Sequence, residues 1–344
     1  MINYIGLDAH SSTSTFVSMD EKGKVVGRSC VKTTESNLIG FIRSQKGKVK
    51  LTFEESSLSK WLYVTLKDKV DELIVCNPLF LSRKQGPKND YRDALHLANE
   101  LRGNHLTPVF HEDNEYMDMR TLMSGYFDIV REGVRAKNRY KCLFRSEALD
   151  TKGKTIYKKV ERIKELIRPS DRFVAESLSR HIFHLEEEKE KYKALFKTYK
   201  TKYRPVEILC SIPGINFIRA TVIVSLICSP GRFKNKHKFW AYSMLVKYTN
   251  ESGGVVYGRR TIQGRRELKN VFIGAAETII QKSRNTELGK HYDRLRSKDL
   301  DHNAAKFDLA RKIASICLSL LKHDKTYDDK HEEKTERRIG KQNH

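Results

Sequence analysis

Tyr4-Ile5-Gly6-Leu7-Asp8 is an apolar run that closes on a carboxylate, and its reading decides the fold of the first third of the chain. A short apolar run bounded by a polar residue predicts a buried β-strand. Thr15 to Met19 predicts a second strand, Asp20 to Lys24 a turn, and Val25 to Val31 a third strand. Two such runs joined by a short Gly-containing turn make a hairpin. Asn37 to Ser44 reads as a helix with Leu38, Ile39 and Ile42 on one side. Val49 to Glu54 alternates and reads as a further strand, Leu58 to Val70 as a helix, Leu73 to Cys76 as a short buried strand closed by Asn77-Pro78, and Asp90 to Leu101 as a helix. A meander followed by strands alternating with helices predicts an α/β layer, a mixed sheet with helices on its faces.

Four carboxylates fall at informative places in this layer. Asp8 closes the first strand, and Glu54 closes a strand expected near it. Asp90 and Asp93 lie three apart at the start of a helix and so share a face. A strand-end Asp, a second strand-end Glu and helical acids are what an RNase H-like sheet uses to hold two divalent cations. Hard oxygen ligands suit Mg²⁺ or Mn²⁺. Two ions about 3.5–4 Å apart activate a nucleophile and stabilise the leaving oxygen of a phosphodiester. Glu55 stands as a rival to Glu54; strict alternation puts Thr52 and Glu54 on one face and leaves Glu55 at the turn, which favours Glu54.

Beyond about residue 112 the pattern becomes helical. Met119, Leu122, Met123, Tyr126, Ile129 and Val130 recur at helical spacing, as do Ile156, Val160, Ile163 and Ile167, and then Phe173, Leu178, Ile182, Leu185, Tyr192, Phe196 and Tyr199. With Lys, Arg and Glu on the opposite faces, this predicts a helical arm or antiparallel coiled coil. A second globular part begins near Arg204-Pro205 and is expected to be mainly helical, with helices at Ala220 to Ile227, Leu268 to Lys282 and Ala304 to Leu321. The expected division is 1–111 for the sheet domain, 112–203 for the arm, 204–322 for the C-terminal domain and 323–344 for a charged, disordered tail.

The chain has 344 residues and a formal net charge of +23. Such an excess draws a protein to polyanions, and nucleic acid is the usual partner. Arg135, Arg139 and Arg145 crowd one helical stretch with Tyr140 and Phe144 between them, a candidate surface for phosphate contact and base stacking. Arg259, Arg260, Arg265 and Arg266 form a second basic group. The six cysteines show no zinc spacing and are expected to be reduced and mostly buried. No apolar run is long enough to cross a bilayer, and no secretory signal opens the sequence. Together these predict a cytoplasmic protein with no membrane partner.

Ile5-Gly6-Leu7-Asp8, Phe53-Glu54-Glu55-Ser56, Asn77-Pro78 and above all Lys88-Asn89-Asp90-Tyr91-Arg92-Asp93-Ala94-Leu95-His96-Leu97-Ala98 resemble the IS110-type transposases. Ser211-Ile212-Pro213-Gly214-Ile215, Arg232-Phe233 with Phe239-Trp240-Ala241-Tyr242, and Glu251-Ser252-Gly253 are similar to that family's C-terminal segments. The resemblance implies a RuvC-like domain whose Asp-Glu-Asp-Asp tetrad is Asp8, Glu54, Asp90 and Asp93. It also implies a transposase domain whose nucleophile, Ser252, becomes covalently linked to DNA. The implied partners are DNA (element ends and target), the noncoding bridge RNA that guides some members, and further copies of the chain in a dimer or tetramer, with the acids of one protomer meeting the serine of another. Where the family carries Gly-Leu-x-Pro before its serine, this chain reads Ser243-Met244-Leu245-Val246-Lys247-Tyr248, without Gly or Pro. Asn250 to Gly254 is also good turn sequence, which is the plainer reading of Ser252. Two other readings remain: a nuclease or resolvase that uses the tetrad and water, and a catalytically silent nucleic-acid-binding protein.

Overall fold

The structure is a computed structural model that describes residues 1–81, 89–153, 155–261 and 263–330. The chain divides into two compact units, Met1–Asp113 and the rest from Asn114 onward.

The first unit is built on a five-stranded sheet. In chain order its elements are β1 (Ile2–Ala9), β2 (Thr13–Met19), β3 (Val25–Lys32), α1 (Glu35–Arg43), β4 (Lys48–Glu54), α2 (Ser59–Leu66), β5 (Glu72–Cys76) and α3 (Asp90–Arg102). The strand order is β3-β2-β1-β4-β5. The meander β1-β2-β3 is antiparallel, whereas β4 and β5 run parallel to β1. This is the expected mixed sheet with helices on its faces.

The two faces of β1 are packed differently. Ile5 and Leu7, with Phe16, Leu51 and Phe53, face a core closed by Leu38 and Ile42 of α1 and Leu62 and Leu66 of α2. Phe16 stacks on Phe41 with ring centres 4.3 Å apart. On the other face Gly6 meets α3 so closely that an added Cβ would stand 2.0 Å from the Ala94 carbonyl oxygen and 2.6 Å from the Ala98 amide nitrogen. Ala94, Leu97 and Ala98 are the residues that α3 buries there. Small residues on both partners allow this approach, which fixes α3 over the centre of the sheet.

The second unit is helical with one hairpin. Its elements are α4 (Glu115–Ser146), α5 (Pro169–Lys202), α6 (Arg204–Cys210), α7 (Phe217–Ile227), α8 (Lys236–Tyr242), β6 (Lys247–Ser252), β7 (Val255–Thr261), α9 (Arg266–Lys282), α10 (Glu287–Arg296) and α11 (His302–His323). α4 and α5 pack antiparallel, since Tyr126 touches Tyr192 and Phe196 while Lys137 pairs with Glu186. Their near end, with Met119, Met123, Phe196 and Tyr199, shares a core with α7, α9 and α11. Their far end closes on a separate cluster around Tyr140, Phe144, Ile156 and Ile182.

Several expectations need correction. The apolar repeat from Ile156 to Ile167 is not an α-helix. It forms two short 3₁₀ turns, Ile156–Lys158 and Val160–Glu165, that cap the far end of the arm. Phe173, placed in the packing stripe, is 70% exposed. Only Cys76, Cys228 and Cys317 are buried, while Cys30 and Cys142 are exposed. Of the tail, residues 331–344 lie outside the described residues. The part before them is docked: the Tyr327 amide donates to Ser211 Oγ, and Asp329 accepts from the Glu287 amide at the start of α10. Among the described residues no helix is long and apolar enough to cross a membrane.

Candidate active site

The acids gather because the sheet brings strand ends together. Leu7 pairs with Phe53 in the parallel β1–β4 ladder, so Asp8 and Glu54 follow at neighbouring strand ends. Side chains alternate along a strand. Asp8 therefore shares the face of Gly6, and Glu54 that of Thr52, which pairs with Gly6. This is the face that α3 covers.

α3 begins just where acids are needed. Asn89 caps it, its side chain accepting from the Tyr91 amide, and the first turn carries Asp90 and Asp93. An Asn cap of this kind fixes the start of a helix to one residue, and two acids suit the positive end of its dipole. Lys88, which completes the family-like motif, lies outside the described residues.

His10 stands between the acids. Its Nε2 is 3.4 Å from Asp8 Oδ2 and 3.8 Å from Asp90 Oδ1. One ligand atom from each of Asp8, His10 and Asp90 can be chosen so that all three lie within 4.8 Å of one another. Burial pushes the Asp8 carboxyl up from its ordinary value, Asp90 and Asp93 push it further, and His10 pulls it back. Asp93 is thus within electrostatic reach of Asp8. A half-buried carboxylate raised by its acidic neighbours is a place where positive charge is favoured. The donor set is mostly hard oxygen, which fits a divalent cation of the Mg²⁺ or Mn²⁺ class.

The two glutamates separate at this point. Glu55 turns away, its Oε2 3.1 Å from Nε2 of the buried His111. Glu54 keeps the register of the acid face. Its field and that of Glu55 add to burial in holding the neighbouring Cys76 thiol up at about 12, so this cysteine stays a neutral packing residue.

Residues 5–147 match the IS110 DEDD family model, described as Transposase, and residues 206–293 match the model described as Transposase IS116/IS110/IS902 family. The chain belongs to the IS110-family transposases. The two matches cover more than half of the transposase, in the order in which its two kinds of domain occur. No curated protein matches it. Membership makes it a DNA-acting recombination enzyme. The DEDD domain carries with it the RNase H-like fold, and it suggests the use of a divalent metal.

The second family match contains the hairpin β6–β7, where Ser252 pairs with Val255 across a two-residue turn. Gly253 and Gly254 both have positive φ, 58° and 77°. A type I′ turn requires this at both central positions, and glycine takes it without strain. Ser252 is therefore held, exposed, at the last position before a tight turn. The register sets Thr249 opposite Arg259 and Tyr248 opposite Arg260. Arg265 and Arg266 are exposed where the chain enters α9.

The arm's basic stretch needs a correction. Tyr140 and Phe144 are fully buried, with ring centres 5.1 Å apart, and cannot stack on bases. Arg135 donates to Glu132 at 2.6 Å, Arg139 lies 3.6 Å from the same carboxylate, and Arg145 donates to Thr151 Oγ1 at 3.1 Å. Exposed pairs of this kind are weak and do not prevent phosphate contact.

Sequence reasoning missed His10 and the hairpin. The signal for His10 was its spacing: two residues past a strand-end Asp, it returns to the same face. The signal for the hairpin was Gly253-Gly254 between the polar run Lys247–Ser252 and the strand-forming Val255-Val256-Tyr257.

Proposed function

We propose that this transposase cuts and rejoins DNA strands with Asp8, Glu54, Asp90 and Asp93 as the metal-holding tetrad and Ser252 as the nucleophile. The observation that carries the reading is the convergence of strand-end and helix-start acids on one face, with Asp8 raised by burial and then by the charge of Asp90 and Asp93. Bound there, Mg²⁺ or Mn²⁺ would neutralise the scissile phosphate and assist departure of its leaving oxygen.

The tetrad would hold the ions that orient that phosphate, with His10, beside Asp8 and Asp90, offering a further ligand nitrogen. Ser252 is a weak nucleophile until its proton is taken. As Oγ bonds to phosphorus, one strand P–O bond breaks and the departing oxygen takes up a proton. The ester keeps the phosphodiester energy, so a strand hydroxyl reverses the step and restores the serine without a high-energy cofactor. Arg259, Arg260, Arg265 and Arg266 flank Ser252 in sequence and are assigned to the phosphates beside the cut. Arg135, Arg139 and Arg145 on α4 are assigned to backbone contacts farther along. The sequence carries no zinc-finger or RNA-recognition signature, which fits choice of the DNA site by a paired noncoding RNA of the kind that guides some members of the family. Supply of the acids and the serine by different protomers of a dimer or tetramer belongs to the same reading.

The test is a denaturing-gel assay for a protein–DNA adduct, using the whole chain, Mg²⁺, co-expressed RNA and the flanking element-end DNA. An adduct that is lost in both Ser252→Ala and Asp8→Ala is the expected result. Cleavage that survives Ser252→Ala would replace the serine with water, and an adduct made equally well without RNA would remove the guide.

A further inference from the structure

β3 is the sheet edge beyond β2, and the strand register carries the row of the acids onto it. Asp8 pairs with Thr15, and Thr15 pairs with Cys30. Paired residues on neighbouring strands share a face, so Thr15 and Cys30 extend the face of Asp8, as does Arg28 two residues before Cys30. α3 covers this face over β1 and β2, burying Gly6 and Val17, but over β3 both Arg28 and Cys30 are exposed.

What remains is a cleft of about 590 Å³. Thr15, Arg28 and Cys30 form its floor, and Asn89, Asp90 and Tyr91 at the start of α3 form its wall. The Arg28 guanidinium lies over the Tyr91 ring, 5.8 Å from its centre, so a base seated on Tyr91 takes the rest of the ring or shifts the arginine toward its phosphate.

We propose that this cleft seats a nucleotide of the DNA strand adjoining the one cut at the acids, with its base on Tyr91 and its phosphate on Arg28. The inference rests on the acid corner being the cutting site, because Asp90 belongs to both: it lines the cleft and approaches His10, which approaches Asp8. A strand drawn toward carboxylates meets repulsion at every phosphate not next to a cation. Arg28 offers a fixed cation on the far side of Asp90, with a planar donor fork suited to phosphate. An aromatic ring holds a base without reading its identity. The cleft thus positions the strand and leaves sequence choice elsewhere. A DNA strand is favoured over an RNA strand because the row that forms the floor is continuous with Asp8.

Cys30 supplies the test. The whole chain, with Cys142→Ser and Cys210→Ser to remove the other accessible thiols, is incubated in EDTA with a short oligothymidylate. The oligonucleotide carries a tether ending in an activated disulfide, and the adduct at Cys30 is read on a non-reducing gel. An adduct is expected, and its yield should fall at least about fivefold with Tyr91→Ala, the scale of one lost base stack. It should fall likewise with Arg28→Ala, recover with Tyr91→Phe, and leave thermal melts unchanged. No adduct at Cys30, a yield indifferent to both alanine variants, or a higher yield with the matching oligouridylate would overturn the proposal. The readout needs neither metal nor cleavage. If strand cutting survives Asp8→Ala while the adduct behaves as expected, the acid-corner reading fails and the cleft stands. If cutting depends on Asp8 but Cys30 is never reached, the cleft alone fails.

Discussion

Gly6 carries no chemistry, yet it sets where the acids stand. The Ala94 carbonyl occupies the place of its missing Cβ, so any side chain there must lift α3, and with it Asp90 and Asp93, away from Asp8. Because the obstacle is backbone, it cannot rotate aside. Gly6→Ala should cost about 1–3 kcal/mol, the scale of an overpacked core, and reduce strand transfer more than it reduces stability. Urea midpoints beside adduct yields would show this; wild-type activity in Gly6→Ala would mean that α3 does not need its close seat. Asp308 in α11 gives a pH-dependent case. The hydrogen bonds from His291 and Arg311 hold its carboxyl down at about 2, against an ordinary 3.8. A depressed acid contributes stability above its unfolded value and loses it as pH falls through the folded one. Asp308→Asn should therefore lower the melting temperature near pH 6 by about 2–4 °C, and the gap should close as pH falls from 3.8 toward 2. A gap that stays constant over that window would mean that the ion pair contributes nothing. At this scale the sequence was informative where a residue ends an element. Asp8, Glu54, Asp90 and Asp93 stand at such ends and were legible. His10 carried only its spacing two residues past Asp8, and because it lies beyond its strand that signal gains meaning only from α3, which arrives about eighty residues later in the chain.

The elements of the sheet were legible for a physical reason. β1, β2 and β4 bury one apolar face against α1 and α2, so Ile5, Leu7, Phe16, Leu51 and Phe53 print their period on the sequence. The hairpin β6–β7 does not: Tyr248, Val255, Val256 and Tyr257 are all exposed, and no core imposes an alternation on them. Its shape comes from the turn. Gly253 and Gly254 are left-handed, and a Cβ added to either would meet nothing within 4 Å, so the cost of substitution there is backbone strain alone. Gly253→Asn should be tolerated, since Asn-Gly is a favoured type I′ pair. Gly253→Val should reshape the turn and end adduct formation, while thermal melts of both variants stay near wild type. Full adduct formation by Gly253→Val would show that Ser252 does not depend on this turn. The arm taught the opposite lesson. Tyr140 and Phe144 sit among arginines in sequence, but the helix period turns the aromatic residues inward and the arginines outward. The Ile156 to Ile167 repeat has helical spacing too, yet only two short 3₁₀ turns fit across the end of the paired helices.

A molecule with a net charge of +23 that sets Asp8, Asp90 and Asp93 close together is expected to apply two opposite forces to DNA. On the proposed reading the general field would attract the duplex and release its counterions, whereas the corner would repel an entering phosphate until cations were bound. Binding and cutting should therefore separate by condition and by unit. The first unit has its own core between the sheet, α1 and α2, with α3 on the other face. A fragment of residues 1–113 is thus expected to melt cooperatively and to bind Mn²⁺, seen as loss of the free-ion resonance, with binding abolished by Asp8→Ala. It lacks Ser252 and should form no DNA adduct. For the whole chain without metal, DNA affinity should persist and fall steeply with salt, by ~10³–10⁵-fold between about 50 and 200 mM if six to ten phosphates are held. Asp8→Ala should leave that salt dependence unchanged, because Asp8 contributes to neither counterion release nor the basic surfaces. Should the 1–113 fragment cut DNA by itself once Mn²⁺ is added, the acids would be acting with water and Ser252 would lose its role. Should it fold yet bind no Mn²⁺, the four carboxylates would be a charged surface and not a metal centre.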